Sequence, residues 1–287
     1  MFLEYYDRKT GLMNRVKQPF SIRYLYRTFI GRMFMKVYRC KVFSQIGGFF
    51  FKTKTSRIFI KGFVKRHKID MKDYEKIKYK SFDDFFTRKI RNGARPYSES
   101  SNDLMAIADS KVSAFFIEPE LKLHIKGSIY SLNALIKDQL LDSYVGGNCV
   151  VFRLATDDYH RYSFFDDGEL ISTKKINGFL HSVNPIAYEK YKVFLENQRE
   201  VSLLLTKHYG PVIQIEVGAT NVGKIHNSNK RFFKKGEEKG YFSLGGSTII
   251  LLFEKGIVDI DDDIERFTDT DIEVEVKLGE TIGKIIK

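Results

Sequence analysis

Among its 287 residues the chain holds only two cysteines, Cys40 and Cys149. They lie far apart and match neither a metal-ligand nor a redox spacing. A disulfide framework is therefore not expected, no metal centre is expected, and a reducing compartment is implied. The N-terminus mixes acids, bases and aromatics without an apolar stretch, so nothing reads as a signal peptide. No apolar run approaches the roughly 18–20 residues that cross a bilayer as a helix, so no transmembrane helix is expected. Acidic residues are missing altogether between Ser21 and Lys68, where 13 Lys/Arg stand. The first 97 residues hold 25 Lys/Arg against seven Asp/Glu, a net of +18. The whole chain is +12, which leaves −6 for the remaining 190 residues. Charge this one-sided marks a local anion-binding surface and not a generally basic protein.

What is present suits a packed protein. Hydrophobic residues make up 43% of the chain and charged residues 29%, which is globular and not disordered. The length fits one large domain or two small ones with a real core. In "FSIRYLYRTFIGRMFMKVYRCKVFSQIGGFFF" bulky apolar groups recur at three and four residues, as in Leu25, Phe29 and Met33, with Arg23, Arg27 and Lys36 between them. That spacing predicts amphipathic helix, broken at Gly47-Gly48. A second helix is expected over about Ser56–His67, and a short one in "YKSFDDFFTRKIR" with Ser81 as N-cap. The plain alternative is that these helices pack as a lid.

From about Leu104 the pattern changes to short β-like runs, among them "KVSAFFI", "CVVFRLA", "VSLLLTKHYG" and "TIILLFEKG", separated by Gly, Asn and Asp. Alternation of branched and polar residues predicts a mostly antiparallel sheet or sandwich. Helical inserts fit "SLNALIKDQLL" and "PIAYEKYKVFLENQ". The expected fold class is α+β: N-terminal basic amphipathic helices over residues 1–97, then a mostly antiparallel β-rich body with helical inserts over 98–287.

Three clusters carry polar groups suited to chemistry. "AIADSKVS" places Asp109 after an apolar run. "DDYHRYSF" supplies Asp158, Tyr159, His160 and Arg161. "LGGST" puts Ser247 at the head of the apolar run that ends at Phe253. Each alone reads more simply as structure: a turn aspartate, a satisfied histidine, a hairpin glycine pair. Together they offer an acid, an imidazole and a hydroxyl, the parts of an activated nucleophile. "GGSTI" is not the hydrolase elbow G-x-S-x-G, because Ile249 stands where the last glycine belongs. It is not a P-loop either, because no lysine follows the glycines.

At these residues the chain resembles a known family. "GEEKGYFSLGGSTIILLF" looks like the self-processing segment of phosphatidylserine decarboxylases, with the glycine-serine-threonine signature on Gly246, Ser247 and Thr248. "ADSKVS" and "DYHRY" resemble the family's Asp- and His-bearing segments, and "LHSVNPIAY", "EVGATNVGKI" and "YKSFDDFFTRKI" match further blocks in the same order, from about Tyr79 to Phe253. The resemblance implies a pyruvoyl-dependent enzyme that converts phosphatidylserine to phosphatidylethanolamine and CO2 through a Schiff base. It implies that Ser247 attacks the carbonyl of Gly246, that the chain parts between them into residues 1–246 and 247–287, which stay associated, and that Ser247 becomes the pyruvoyl group. A weak hydroxyl nucleophile needs a base, and His160 is the candidate, with Asp109 holding its tautomer. The backbone there needs an unusual conformation, which Gly246 would allow. Many family members carry a second histidine where this chain has Ser163; its role falls to His160 or His181, or is lost. His181 is a candidate on the substrate side, with a core hydrogen-bonding histidine as the plain reading. His67, His124, His208 and His226 match no motif.

The phospholipid substrate that the resemblance implies, taken with the composition of the basic stretch, which lies outside the better-matched blocks, suggests an anionic membrane surface as partner, with the protein held peripherally on the cytoplasmic side of the cell membrane. Clustered Lys/Arg gain on the order of 1 kcal/mol each near such a surface, and aromatic side chains insert beside them. A nucleic acid could occupy the same stretch, but the body carries no RNA-binding signature and none is expected as partner. A serine hydrolase acting on a lipid ester and a decarboxylase of another amino-acid-like substrate stand as the remaining alternatives. Homo-oligomerisation is left open.

Overall fold

A computed structural model describes residues 2–18, 20–38, 48–125, 128–139, 142–188, 191–219 and 224–286. Cys40 and Gly47 lie outside the described residues. The body is built on a sheet of ten strands. From one edge their order is Phe232–Phe233, Gly168–Ile176, Arg199–Thr206, Gly210–Val217, Ser247–Leu252, Asn148–Leu154, Ser110–Phe116, Glu273–Val276, Phe2–Asp7 and Leu12–Lys17. Every neighbouring pair is antiparallel except Phe2–Asp7 with Glu273–Val276, which run parallel.

The strand Ser247–Leu252 is buried along its whole length because both faces of the sheet are covered. Ile249 and Leu251 point into one core with Phe152 and Leu154, while Ile250 and Leu252 point into the other with Val151, Ile213 and Ile215. An unbroken apolar run is what such a two-sided central strand requires. The hairpin reading of Gly245-Gly246 fails on topology. The preceding strand Glu238–Phe242 belongs to a separate three-stranded sheet with Ile225–Asn227 and Arg161–Ser163. The chain thus crosses from one sheet to another through the two glycines.

The expected helices form at Phe20–Arg27, Phe29–Tyr38 and Ile58–His67. Phe82–Phe86 is a short helix in which the Ser81 hydroxyl accepts the N–H of Asp84 at 3.1 Å, the cap read from the sequence. The inserts appear as Leu132–Ile136, Pro185–Tyr188 and Val193–Glu196. The mostly antiparallel α+β plan is therefore the observed one.

The first 17 residues depart from the helical expectation. They form a hairpin that extends the main sheet, turned at Gly11 with φ of +69°. Arg8 anchors it by donating to Asp261 at 2.6 Å and Asp263 at 2.7 Å, and Tyr6 stacks on Phe267. Those partners sit in the last 30 residues, on and beside the helix Asp262–Asp269, which the sequence pattern did not announce. The tail supplies both Glu273–Val276 in the main sheet and Thr281–Ile285, which pairs with Val258–Ile260 and Asp103–Met105.

Candidate active site

The site follows from one register. Ser247 pairs with Leu154 across the central strands, so the loop that leaves the strand at Ala155 rises beside the serine. That loop delivers His160, whose Nδ1 lies 3.4 Å from Ser247 Oγ. Both residues are 0% exposed. The contact is long for a hydrogen bond, as reacting pairs often are before they tighten in the reaction.

Burial pushes the His160 pKa down to about 3, with the positive charge of Arg88 acting in the same direction and Asp158 opposing them. The ring is therefore neutral through the physiological range, and the burial that keeps it neutral also weakens it as a base. Its Nε2 closes no hydrogen bond, although the carbonyls of Ala155 and Thr156 stand where they favour the charged ring.

The loop is held from several sides. Asp158 accepts the Ala155 N–H at 2.8 Å and pairs with buried Lys111 at 2.8 Å. Phe86 stacks on the imidazole with ring centroids 4.1 Å apart. On the same short helix, Asp83 accepts the N–H of Leu244 at 3.3 Å, two residues before Gly246. Leu244 packs with Phe82, Phe85 and Phe86 in a small core of its own. None of Asp83, Phe86 and Lys111 was singled out from the sequence. Their signal was present only as matched blocks, "YKSFDDFFTRKI" for Asp83 and Phe86 and "ADSKVS" for Lys111, with no chemistry attached to those residues.

Asp109 stands elsewhere than on the imidazole. Its carboxylate receives Arg95 through Nε at 3.0 Å and Nη2 at 2.8 Å, and the N–H of Leu278 at 2.8 Å. No hydrogen bond joins it to His160. His181 is fully buried, pairs with Glu196 at 3.2 Å and stacks on Tyr191 at 4.2 Å, the arrangement of a core histidine. Its segment still reaches the site through Val183, which packs on Gly246. Ser163 is buried on the strand Arg161–Ser163, with its N–H donated to Ile107.

Of the unassigned histidines, His226 touches Ser243 at 2.9 Å, His208 pairs with Asp166 at 2.7 Å and His67 lies 3.7 Å from Asp157. The side chain of His124 lies outside the described residues.

The family model for phosphatidylserine decarboxylase matches residues 82–284. The chain belongs to the phosphatidylserine decarboxylase family. It is 49% identical over 266 residues to phosphatidylserine decarboxylase proenzyme 2 of Clostridium acetobutylicum, covering 92% of this chain and 91% of that one. Phosphatidylserine decarboxylase proenzymes of Clostridium tetani and Ruminiclostridium cellulolyticum are each 41% identical, over 98% and 99% of this chain and 98% of each of theirs. Family membership thus extends on both sides of the Ser247–His160 pair, and the matched residues begin at Phe82, at the helix that packs on the imidazole.

Proposed function

We propose that the chain is the precursor of a phosphatidylserine decarboxylase that makes its own pyruvoyl group from Ser247. The observation that carries this is the buried contact of Ser247 with a neutral His160, immediately after a glycine at the head of a central strand. His160 takes the proton of Ser247 as the hydroxyl adds to the Gly246 carbonyl. The C–N bond breaks as the nitrogen takes that proton from His160, leaving a free amine and an ester to the serine oxygen. Loss of the serine α-proton then expels the Gly246 carboxylate, and water replaces the nitrogen, which leaves as ammonia. The residues present fit this origin: a serine with a base in reach, a glycine before it, and a strand that holds the new end in a dry and fixed place. The pyruvoyl ketone supplies a site for the substrate amine and an electron sink for loss of CO2.

Asp109 enters as a positioning residue. Arg95 and the Leu278 N–H fix it at the start of the strand Ser110–Phe116, whose Lys111 holds the His160 loop through Asp158.

The region before residue 97 is the surface that meets the membrane. Phe20, Phe29, Phe49 and Ile58 are 75–78% exposed. Arg27, Lys52, Lys54, Arg57 and Lys61 are exposed in the same acid-free stretch. Apolar groups left in solvent amid cations suit an anionic bilayer, into which rings insert while Lys/Arg meet head groups. Among the described residues no helix is long and apolar enough to cross a membrane. The exposed apolar groups amid cations support peripheral attachment, on the cytoplasmic face.

The test is Ser247→Ala. It should give one uncut chain that releases no CO2 from phosphatidylserine vesicles, beside a wild type of two chains that does. An uncut wild type that decarboxylates would remove the pyruvoyl reading.

A further inference from the structure

Arg88 is 1% exposed and sits just beyond the helix Phe82–Phe86. Its Nη2 donates only to neutral acceptors: the Tyr74 hydroxyl at 3.3 Å, the Asp157 carbonyl at 3.2 Å and the Asp158 carbonyl at 3.3 Å. Its Nε and Nη1 are buried with no hydrogen-bond partner. The guanidinium lies 4.4 Å from the Tyr74 ring centre and 5.0 Å from that of Phe85.

Other buried cations are treated differently. Lys111, Arg153 and Lys239 pair with Asp158, Glu273 and Glu216. Arg199 has no carboxylate but spends its N–H groups on the carbonyls of Leu135, Leu195, Asn197 and Ala134. Arg88 alone among these keeps a permanent charge with unused donors, a costly state unless an anion arrives.

Its place says which anion. Phe86, two residues earlier, stacks on His160, and Asp83 on the same helix holds Leu244, two residues before Gly246. We propose that Arg88 is a carboxylate-docking residue of the processed site, its unused N–H groups taking a carboxylate that the uncut chain does not contain. Two sources share that chemistry: the terminal carboxylate that cleavage leaves on Gly246, and the carboxylate of the lipid head group. A cation on the carboxylate that must leave as CO2 stabilises the ground state and slows the reaction. The Gly246 carboxylate is therefore the occupant the arrangement favours. This source rests on the cleavage proposed above.

The experiment compares Arg88→Gln in two backgrounds, the cleaved protein and the uncut Ser247→Ala precursor. If Gly246 is the occupant, the substitution should lower the melting temperature by about 2–4 °C more in the cleaved protein than in the precursor. If the head group is the occupant, the two backgrounds should fall equally. KM for phosphatidylserine in mixed micelles should then rise about tenfold with kcat rising alongside it, and inhibition by phosphatidylethanolamine should be unmoved. Equal thermal losses with both lipids shifting together, or neither shifting, would overturn the proposal and leave Arg88 as packing. Arg88→Lys moves the charge off the guanidinium's positions and carries the same comparison if the Gln variant does not fold or process. A wild type that is never cut would sink the cleavage reading separately and leave the head-group arm to be measured.

Discussion

At Gly245 the backbone takes a φ of +133°, a region in which side chains are strained by roughly 1–3 kcal/mol. The unusual conformation expected at Gly246 therefore sits one residue earlier. Gly246 is needed for space: a Cβ there would stand 3.0 Å from Val183 Cγ2 and 3.6 Å from the Leu154 carbonyl. Gly246→Ala should slow self-cleavage by about tenfold, the effect of roughly 1.4 kcal/mol on the barrier, and adding Val183→Ala should restore much of the rate. The rate of two-chain formation on a denaturing gel measures both. A Gly246→Ala protein that cleaves at the wild-type rate would show that Val183 does not constrain the peptide. At this scale the sequence shows Ser247 and His160 because each lies in a local motif. The partners of Asp109 and the ring stacked on His160 are not legible that way. Arg95 and Phe86 come from separate segments whose approach depends on how the N-terminal region docks on the body.

The helices before residue 97 have two faces with different duties. Phe51, Ile60 and Phe63 pack inward on Phe82 and Phe85, which continue to Phe86 and the imidazole. Phe49, Phe50, Ile58 and Phe59 remain outward beside exposed Lys and Arg. Replacing Arg27, Lys52, Lys54, Arg57 and Lys61 with glutamine should weaken co-sedimentation with anionic vesicles and reduce its salt dependence, since exposed charges are screened over roughly 8–10 Å. Self-cleavage in the same samples should be unchanged, because the inward face is untouched. Equal binding by variant and parent at low salt would return these helices to a packed lid. Periodicity made the helices and the inner strands legible, since three-and-four spacing and two-sided apolar runs are direct consequences of burial. It missed the hairpin Phe2–Asp7 and Leu12–Lys17, an edge whose second strand is exposed almost throughout and so carries no alternation.

In the whole molecule the proposed cut does not separate two bodies. The strand Ser247–Leu252 lies between Gly210–Val217 and Asn148–Leu154, and Glu273–Val276 lies between Ser110–Phe116 and Phe2–Asp7. Thr281–Ile285 pairs with Asp103–Met105. Buried Arg153 donates to Glu273 and Asp109 accepts the N–H of Leu278, so ion pairs and hydrogen bonds cross the same boundary. A segment of 41 residues would thus remain woven into the sheet after its amide bond to Gly246 is gone. In the proposed processing a glycine turn, a buried neutral base and a central strand all bear on one bond. The measurement that tests this most directly is the intact mass of the purified, denatured protein. Two chains are expected, residues 1–246 and 247–287, the smaller one lighter by one ammonia than a chain beginning with serine. A single chain of 287 residues in an active preparation, or a small chain that begins with an intact serine, would contradict it.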